Sequence, residues 1–166
     1  MINIKRVVVG PLEENCYIVT INNKSLIIDP GDDARKIIEA CNNLNIVGIL
    51  ITHHHFDHIG ALNKIEKYFN LKESKAVDGI DFEIIKNPGH SVDSVSYYFK
   101  NYKVMFVGDF IFNGSIGRTD LPTGNLNDML NSLKKISNYP DDIIIYPGHG
   151  LRTTLGKEKL NFKNYF

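Results

Sequence analysis

The chain of 166 residues predicts an α/β protein of the layered-sandwich type. Three observations lead there. Strand-like runs come in groups near the start and the middle, with helical stretches between them, rather than in strict alternation. Hydrophobic residues make up 43% and charged residues 23%, which suits one globular domain with a buried core. Neither G-x-G-x-x-G nor G-x-x-x-x-G-K-[ST] is present, which removes dinucleotide and P-loop chemistry.

The elements follow in order. Residues 2–9 are rich in β-branched side chains and read as a strand, which Gly10-Pro11 ends. A second strand covers 16–21, Asn22-Asn23 turns the chain, and a third covers 25–28, stopped by Asp29-Pro30-Gly31. Asp32 or Asp33 caps a helix running to about Asn42, with Ile37, Ile38 and Cys41 on its apolar face. The nearly continuous apolar run 46–51 is expected of a strand covered on both faces. A helix over 59–69 buries Leu62, Ile65 and Phe69. Strands are expected at 82–85, 94–99 and 104–107, an amphipathic helix at 126–136, a buried strand at 143–146 and a last helix at 153–163. No composition break marks a second domain, so 1–166 is expected to be a single domain.

Charge and composition exclude several roles. Lys plus Arg number 19 and Asp plus Glu number 19, so no basic nucleic-acid footprint is expected. No apolar run approaches the roughly 18 residues of a spanning helix. The opening residues 1–15 offer too short an apolar core for a signal peptide. Cys16 and Cys41 form no C-x-x-C pair, which points to a reducing, cytoplasmic setting. Lysines such as Lys64, Lys67, Lys134 and Lys157 read as solvated helix faces.

The chemistry concentrates after the strand at 46–51, in Thr52-His53-His54-His55-Phe56-Asp57-His58-Ile59-Gly60. An α/β protein places site residues at strand ends. In an extended loop, alternate spacing sends His53 and His55 to one side, while Asp57 and His58 follow at the turn into the helix. His54 points the other way. A surface cluster of histidines is the bland alternative, but this one lies between a buried strand and a helix and carries an acid at a fixed offset. All 6 histidines fall in three places: this loop, His90 and His149. The two outlying ones share a setting, a strand followed by Pro-Gly and then His, in Pro88-Gly89-His90 and Pro147-Gly148-His149. Asp109 follows the apolar run 104–107. Alone it reads as a turn residue; with a histidine cluster that needs a carboxylate, it becomes the bridge. His53, His55 and His90 then make one three-ligand set, Asp57, His58 and His149 a second, and Asp109 joins them.

This pattern resembles the metallo-β-lactamase-fold hydrolases, whose signature is H-x-H-x-D-H followed by a distant His, Asp and His. Gly10-Pro11-Leu12-Glu13-Glu14-Asn15-Cys16-Tyr17 and Ile28-Asp29-Pro30-Gly31 resemble the corresponding stretches of glyoxalase II-like members. Gly108-Asp109-Phe110-Ile111-Phe112 and the loop Gly114–Asp120 resemble the small single-domain branch of that group. The resemblance implies a four-layer αββα sandwich, two mixed sheets flanked by helices. It also implies two divalent metal ions, zinc first, with iron or manganese as alternatives, and hydrolysis of a small-molecule acyl-thioester by metal-activated hydroxide. Asp57 is the one catalytic residue beyond pure ligation. A monomer or homodimer is expected, with neither nucleic acid nor membrane as partner.

Two departures from the family pattern stand out. Only 31 residues separate His58 from His90, which implies a trimmed strand–helix stretch. Only 17 residues follow His149, so the helical domain that holds glutathione in glyoxalase II is not expected. Asp29 is read either as a support for the ligand loop or as a helix-start residue. Arg118 and Asp120 are expected to tie down the loop after Asp109. Two other functions fit the residues less well: a persulfide dioxygenase-like enzyme with one iron on His53, His90 and Asp109, and a metal-bound binding module. A β-lactamase fits less well again, because Asp109 stands where that class commonly has cysteine.

Overall fold

The computed structural model describes residues 1–166. The chain divides into two compact units, Met1–Asp81 and Phe82–Phe166. No helix is long and apolar enough to cross a membrane.

The first unit is a four-stranded mixed sheet with helices on one face. Its strands are β1 (Ile2–Val9), β2 (Glu14–Ile21), β3 (Lys24–Ile28) and β4 (Ile46–Leu50), in that spatial order. β1 and β2 pair antiparallel from Ile2↔Ile21 to Val9↔Glu14. Asn22 and Asn23 both adopt positive φ, 49° and 63°, the conformation that asparagine tolerates and a two-residue hairpin turn requires. β3 and β4 are parallel, and α1 (Ala34–Ala40) makes the crossover. Ile37 and Cys41 of that crossover join Val9, Cys16, Ile18, Ile27 and Ile49 in one core, with Ala61 and Ile65.

Three expectations are adjusted here. Asp33 occupies the cap position of α1, but in the left-handed conformation and with no side-chain capping bond. Its carboxylate accepts from the Gly10 amide instead, tying the β1–β2 turn to the start of the helix. The helix expected over 59–69 is two helices, α2 (Phe56–Ile59) and α3 (Leu62–Phe69), broken at Gly60-Ala61, where the Ala61 amide donates to the Pro30 carbonyl. β4 is fully covered only in its second half, because Ile46 and Val47 lie where it enters the edge of the sheet. The short connection after α3 is laid along that edge: Glu73 bridges to Ile49, and the Ser74 amide donates to the Ile49 carbonyl.

The second unit is a five-stranded mixed sheet, also with helices on one face. β5 (Glu83–Lys86), β6 (Val95–Phe99), β7 (Val104–Gly108), β10 (Ile144–Pro147) and β11 (Thr153–Thr154) lie in the order β11-β10-β7-β6-β5. Only β10 and β7 are parallel. A small hairpin, β8 (Ile111–Phe112) with β9 (Ser115–Ile116), follows β7; it is too short for periodicity to reveal in the sequence. α4 covers Leu126–Ile136, the range its spacing predicts, because Met129, Ser132, Leu133 and Ile136 repeat at helical intervals and are all buried. Asn125 caps it by accepting from the Asp128 amide. α5 (Leu155–Phe162) closes the unit, burying Leu155 and Phe162 against Ile143 and Ile145. Truncating a core residue such as Leu133 to alanine costs about 2–5 kcal/mol.

The observed fold class is α/β, with two mixed sheets flanked by helices, as the sequence predicts.

Candidate metal centre

In the first unit the ligand loop hangs from one buried carboxylate. Asp29, 2% exposed, ends β3 in the left-handed conformation, φ 52°, and its amide donates to the Leu50 carbonyl of β4. Its Oδ1 accepts from the Thr52 amide at 2.7 Å. Its Oδ2 accepts from the Thr52 hydroxyl at 2.6 Å and from His58 Nδ1 at 2.9 Å. The threonine hydroxyl has one hydrogen, which goes to Asp29, so at the 3.1 Å contact between Thr52 Oγ1 and His53 Nδ1 the ring nitrogen donates. His53 and His58 are therefore both held with the proton on Nδ1, which puts the ring's lone pair on Nε2.

The rings of this loop gather closely. His53 lies 4.2 Å from His58 and 4.7 Å from His55, centroid to centroid. Asp57 stands in the first turn of α2, with Oδ2 3.7 Å from His58 Nε2. His54 points away, with Nε2 2.9 Å from the Glu73 carboxylate, as alternation along an extended loop requires. The crossing beneath the loop is so close that a Cβ on Gly31 would lie 1.8 Å from the Asp57 carbonyl oxygen.

Nothing in the sequence marks Glu14 as a site residue. It is 1% exposed at the start of β2, and its Oε1 lies 3.6 Å from His58 Nδ1. Glu14, Asp29 and His58 bring donor atoms within 4.8 Å of one another. A lone glutamate ahead of a strand gives no signal of such burial, so only the fold identifies it.

In the second unit the three remaining candidates sit at three strand ends. His90 follows β5, Asp109 follows β7 and His149 follows β10. The parallel pairing of β7 and β10 sets the last two side by side, and the Gly148 amide donates to the Gly108 carbonyl at 2.8 Å. Asp109 Oδ2 is 3.5 Å from His90 Nε2 and 3.5 Å from His149 Nε2. His90 Nδ1 lies 2.8 Å from the Arg118 carbonyl, which can only accept, so this ring too carries its proton on Nδ1. A Cβ on Gly117 would lie 1.8 Å from the Asp109 carbonyl oxygen, so that position admits only glycine.

These geometries fit divalent metal ions. Ligand bonds of about 2.0–2.2 Å place neighbouring tetrahedral ligands about 3.4 Å apart. The 3.5 Å spacings on either side of Asp109 Oδ2 match that edge. Nitrogen and carboxylate oxygen donors suit zinc, iron and manganese alike.

Arg118 and Asp120 do pair, through two hydrogen bonds of 2.6 and 2.7 Å, and Arg118 holds the Asp120 carboxyl down to about 2. Both side chains are exposed, at 63% and 67%, so the pair orders the surface more than it stabilises the fold.

A fold of two helix-flanked mixed sheets and donor sets of this kind define a metallo-hydrolase. The chain belongs to the metallo-β-lactamase superfamily, whose model matches residues 9–76 and 70–149. It is 31% identical over 201 residues to the hydroxyacylglutathione hydrolase GloC of Haemophilus influenzae, covering 95% of each chain. Among solved structures it resembles the BLEG-1 B3 metallo-β-lactamase, with a TM-score of 0.88 and 31% identity over 94% of this chain and 96% of that one. It also resembles TTHA1623 in a di-iron-bound form, with a TM-score of 0.84 and 31% identity over 93% and 96%. The two pieces of the family match meet at 70–76, after α3, inside the stretch that the sequence reading marks as trimmed.

Proposed function

We propose that the chain is a metal-dependent hydrolase of small acyl-thioesters, similar in activity to hydroxyacylglutathione hydrolase. Its two units act as one domain, 1–166, as a cytoplasmic monomer or homodimer. His53, His55 and His90 hold one ion; Asp57, His58 and His149 hold the other; Asp109 bridges them. Zinc is the first expectation, and the di-iron form of TTHA1623 makes iron the alternative. The observation that carries the reading is Asp109 Oδ2 at 3.5 Å from two imidazole nitrogens. The likeness to GloC over 95% of both chains supports the thioester class. Buried, unbridged Cys16 and Cys41 suit a reducing compartment.

Two bound divalent ions lower the pKa of water to about 7 and polarise a carbonyl oxygen. The chain's own residues prepare that chemistry. Asp29 fixes His58 directly and His53 through Thr52, and the Arg118 carbonyl fixes His90, so three rings present Nε2 without reorganising. Asp57, with its side chain 15% exposed, is the carboxylate assigned to hold and pass on the proton of the attacking water. A thiolate leaves without strong acid assistance, which suits a site with one such group.

The test is metal content of full-length protein purified without added metal, with turnover measured on the same sample. S-D-lactoylglutathione, the chromogenic cephalosporin nitrocefin and a persulfide, followed by oxygen uptake, are the three substrates. Two ions per chain and thioester hydrolysis as the fastest reaction are expected. Faster β-lactam turnover, which the likeness to BLEG-1 makes the main rival, or faster oxygen uptake would overturn the thioester assignment.

A further inference from the structure

Glu158 is a buried charge for which the proposed chemistry has no use. It lies on α5, 1% exposed. A carboxylate in that setting is costly unless donors meet it. Thr153 Oγ1 donates to Oε1 at 2.5 Å, and the Gly114 amide and Asn161 Nδ2 donate to Oε2 at 3.0 and 2.9 Å. Asn161 belongs to the same helix. The other two donors lie just downstream of candidate ligands: Thr153 begins β11, four residues past His149, and Gly114 is the tip of the β8–β9 hairpin, five past Asp109.

The hairpin transmits this hold. Its register, Ile111↔Ile116 and Phe112↔Ser115, continues into the bond from the Gly117 amide to the Phe110 carbonyl at 3.1 Å. Gly117 packs against Asp109 without slack, and the next residue supplies the carbonyl that takes the His90 Nδ1 proton. The tip is gripped again by Lys157 Nζ on Asn113 Oδ1, 2.7 Å, and by Asn113 Nδ2 on the Arg152 carbonyl, 3.3 Å.

The geometry points to Glu158 as a positioning residue for the metal ligands of the second unit. It acts through the hairpin on Asp109 and His90 and through Thr153 on the strand that follows His149, and it touches none of the reacting atoms. This inference rests on the ligand assignment proposed above. An acceptor-only group meets all three donors; glutamine with its carbonyl oxygen in the Oε2 position keeps the bonds from the Gly114 amide and Asn161, and its amide nitrogen can donate to the rotatable Thr153 hydroxyl in a reversed bond.

The experiment uses the full-length chain stripped of metal and titrated with Co²⁺, read by visible absorption and by competition with a chelator, beside the melting temperature of the metal-free protein. Glu158→Ala is expected to bind Co²⁺ about tenfold or more weaker, with a changed visible spectrum. Glu158→Gln is expected to restore most of the affinity. A lowered melting temperature with affinity and spectrum unchanged would mean a merely structural glutamate and overturn the inference. Should Glu158→Ala fail to fold, Asn113→Ala, at an exposed tip, must weaken Co²⁺ binding in the same direction by a smaller factor; no change there overturns it equally. A parent chain that takes up no Co²⁺ fells the ligand assignment itself, which separates that failure from one confined to Glu158.

Discussion

The two units carry comparable shares of the candidate site and build them in opposite ways. The first packs His53, His55, Asp57 and His58 into one loop and hangs two of the rings on a single carboxylate, Asp29. The second draws His90, Asp109 and His149 from three strand ends, and backbone does most of the holding: the Arg118 carbonyl, the Gly148 amide and the hairpin after Asp109. Each unit also needs one glycine where the chain crosses against a ligand's carbonyl, Gly31 under Asp57 and Gly117 against Asp109. A contiguous loop gains its order from a few side chains, whereas dispersed ligands inherit theirs from the sheet.

The largest expected effect tests the bridge. Asp109→Ala should empty both metal positions and lower turnover on the order of a thousandfold or more, since each ion contributes several kcal/mol. Elemental analysis showing one ion retained at full occupancy would reassign the bridge. Next comes the single support of the first unit. Asp29→Ala should weaken metal binding by about 10–100-fold, because it releases His58 and, through Thr52, His53. Chelator competition giving an unchanged affinity would show that the loop keeps its shape without the carboxylate, and the contrast between the units would fall.

A smaller effect concerns selectivity. The connection between His58 and His90 is short and lies along the edge of β4, so little of the first unit is left to wrap a thiol carrier. Acyl-thioesters sharing one acyl group and differing in the thiol should differ by less than roughly 100-fold in kcat/KM, about 2.7 kcal/mol. A larger preference for glutathione would reveal contacts supplied from elsewhere.

Alkaline pH probes the core of the first unit. Burial pushes the Cys41 thiol of the first unit from 9.0 up to about 11, and the Cys16 thiol upward as well. The folded state holds these protons more tightly than the unfolded chain. The stabilisation is therefore complete below about pH 9 and is lost as pH rises towards 11. Denaturant melts of parent and Cys41→Ala should differ more at pH 7 than at pH 10.5, where the parent has lost most of this stabilisation, and a difference that does not change with pH would contradict the assignment. The smallest effect is expected at Arg118→Ala. Its partner Asp120 is exposed, so the melting temperature should stay within error of the parent. A clear fall would show that the pair stabilises the fold as well as ordering the surface.

Much of the candidate site is legible because its spacing is local. H-x-H-x-D-H between an apolar strand and a helix carries its own geometry, and Pro-Gly-His after a strand reads the same way twice. Asp109 was legible only by association, since a turn aspartate after a strand is common. At Asp29 the sequence supports two readings, because a carboxylate at a strand end serves a helix start or a neighbouring loop equally well. Its three donors come from the loop residue Thr52, 23 residues on, and from a helix 29 residues on, separations no local pattern encodes. Asp33 misled for the complementary reason: the helix start offered a cap, and a distant glycine amide took the carboxylate instead.

The sequence by itself determined the fold class, the boundaries of strongly periodic elements such as α4, and the donor types of the candidate site, since hydrophobic period and donor chemistry are properties of short stretches. Tertiary structure alone decided the burial of Glu14 and Glu158, the proton positions on His53, His58 and His90, and the glycines that let backbone approach a ligand. A buried carboxylate is tolerable only where several donors converge, and a ring tautomer is set by whichever acceptor lies opposite Nδ1. Both depend on residues far apart in the chain, which meet only once the sheets have formed.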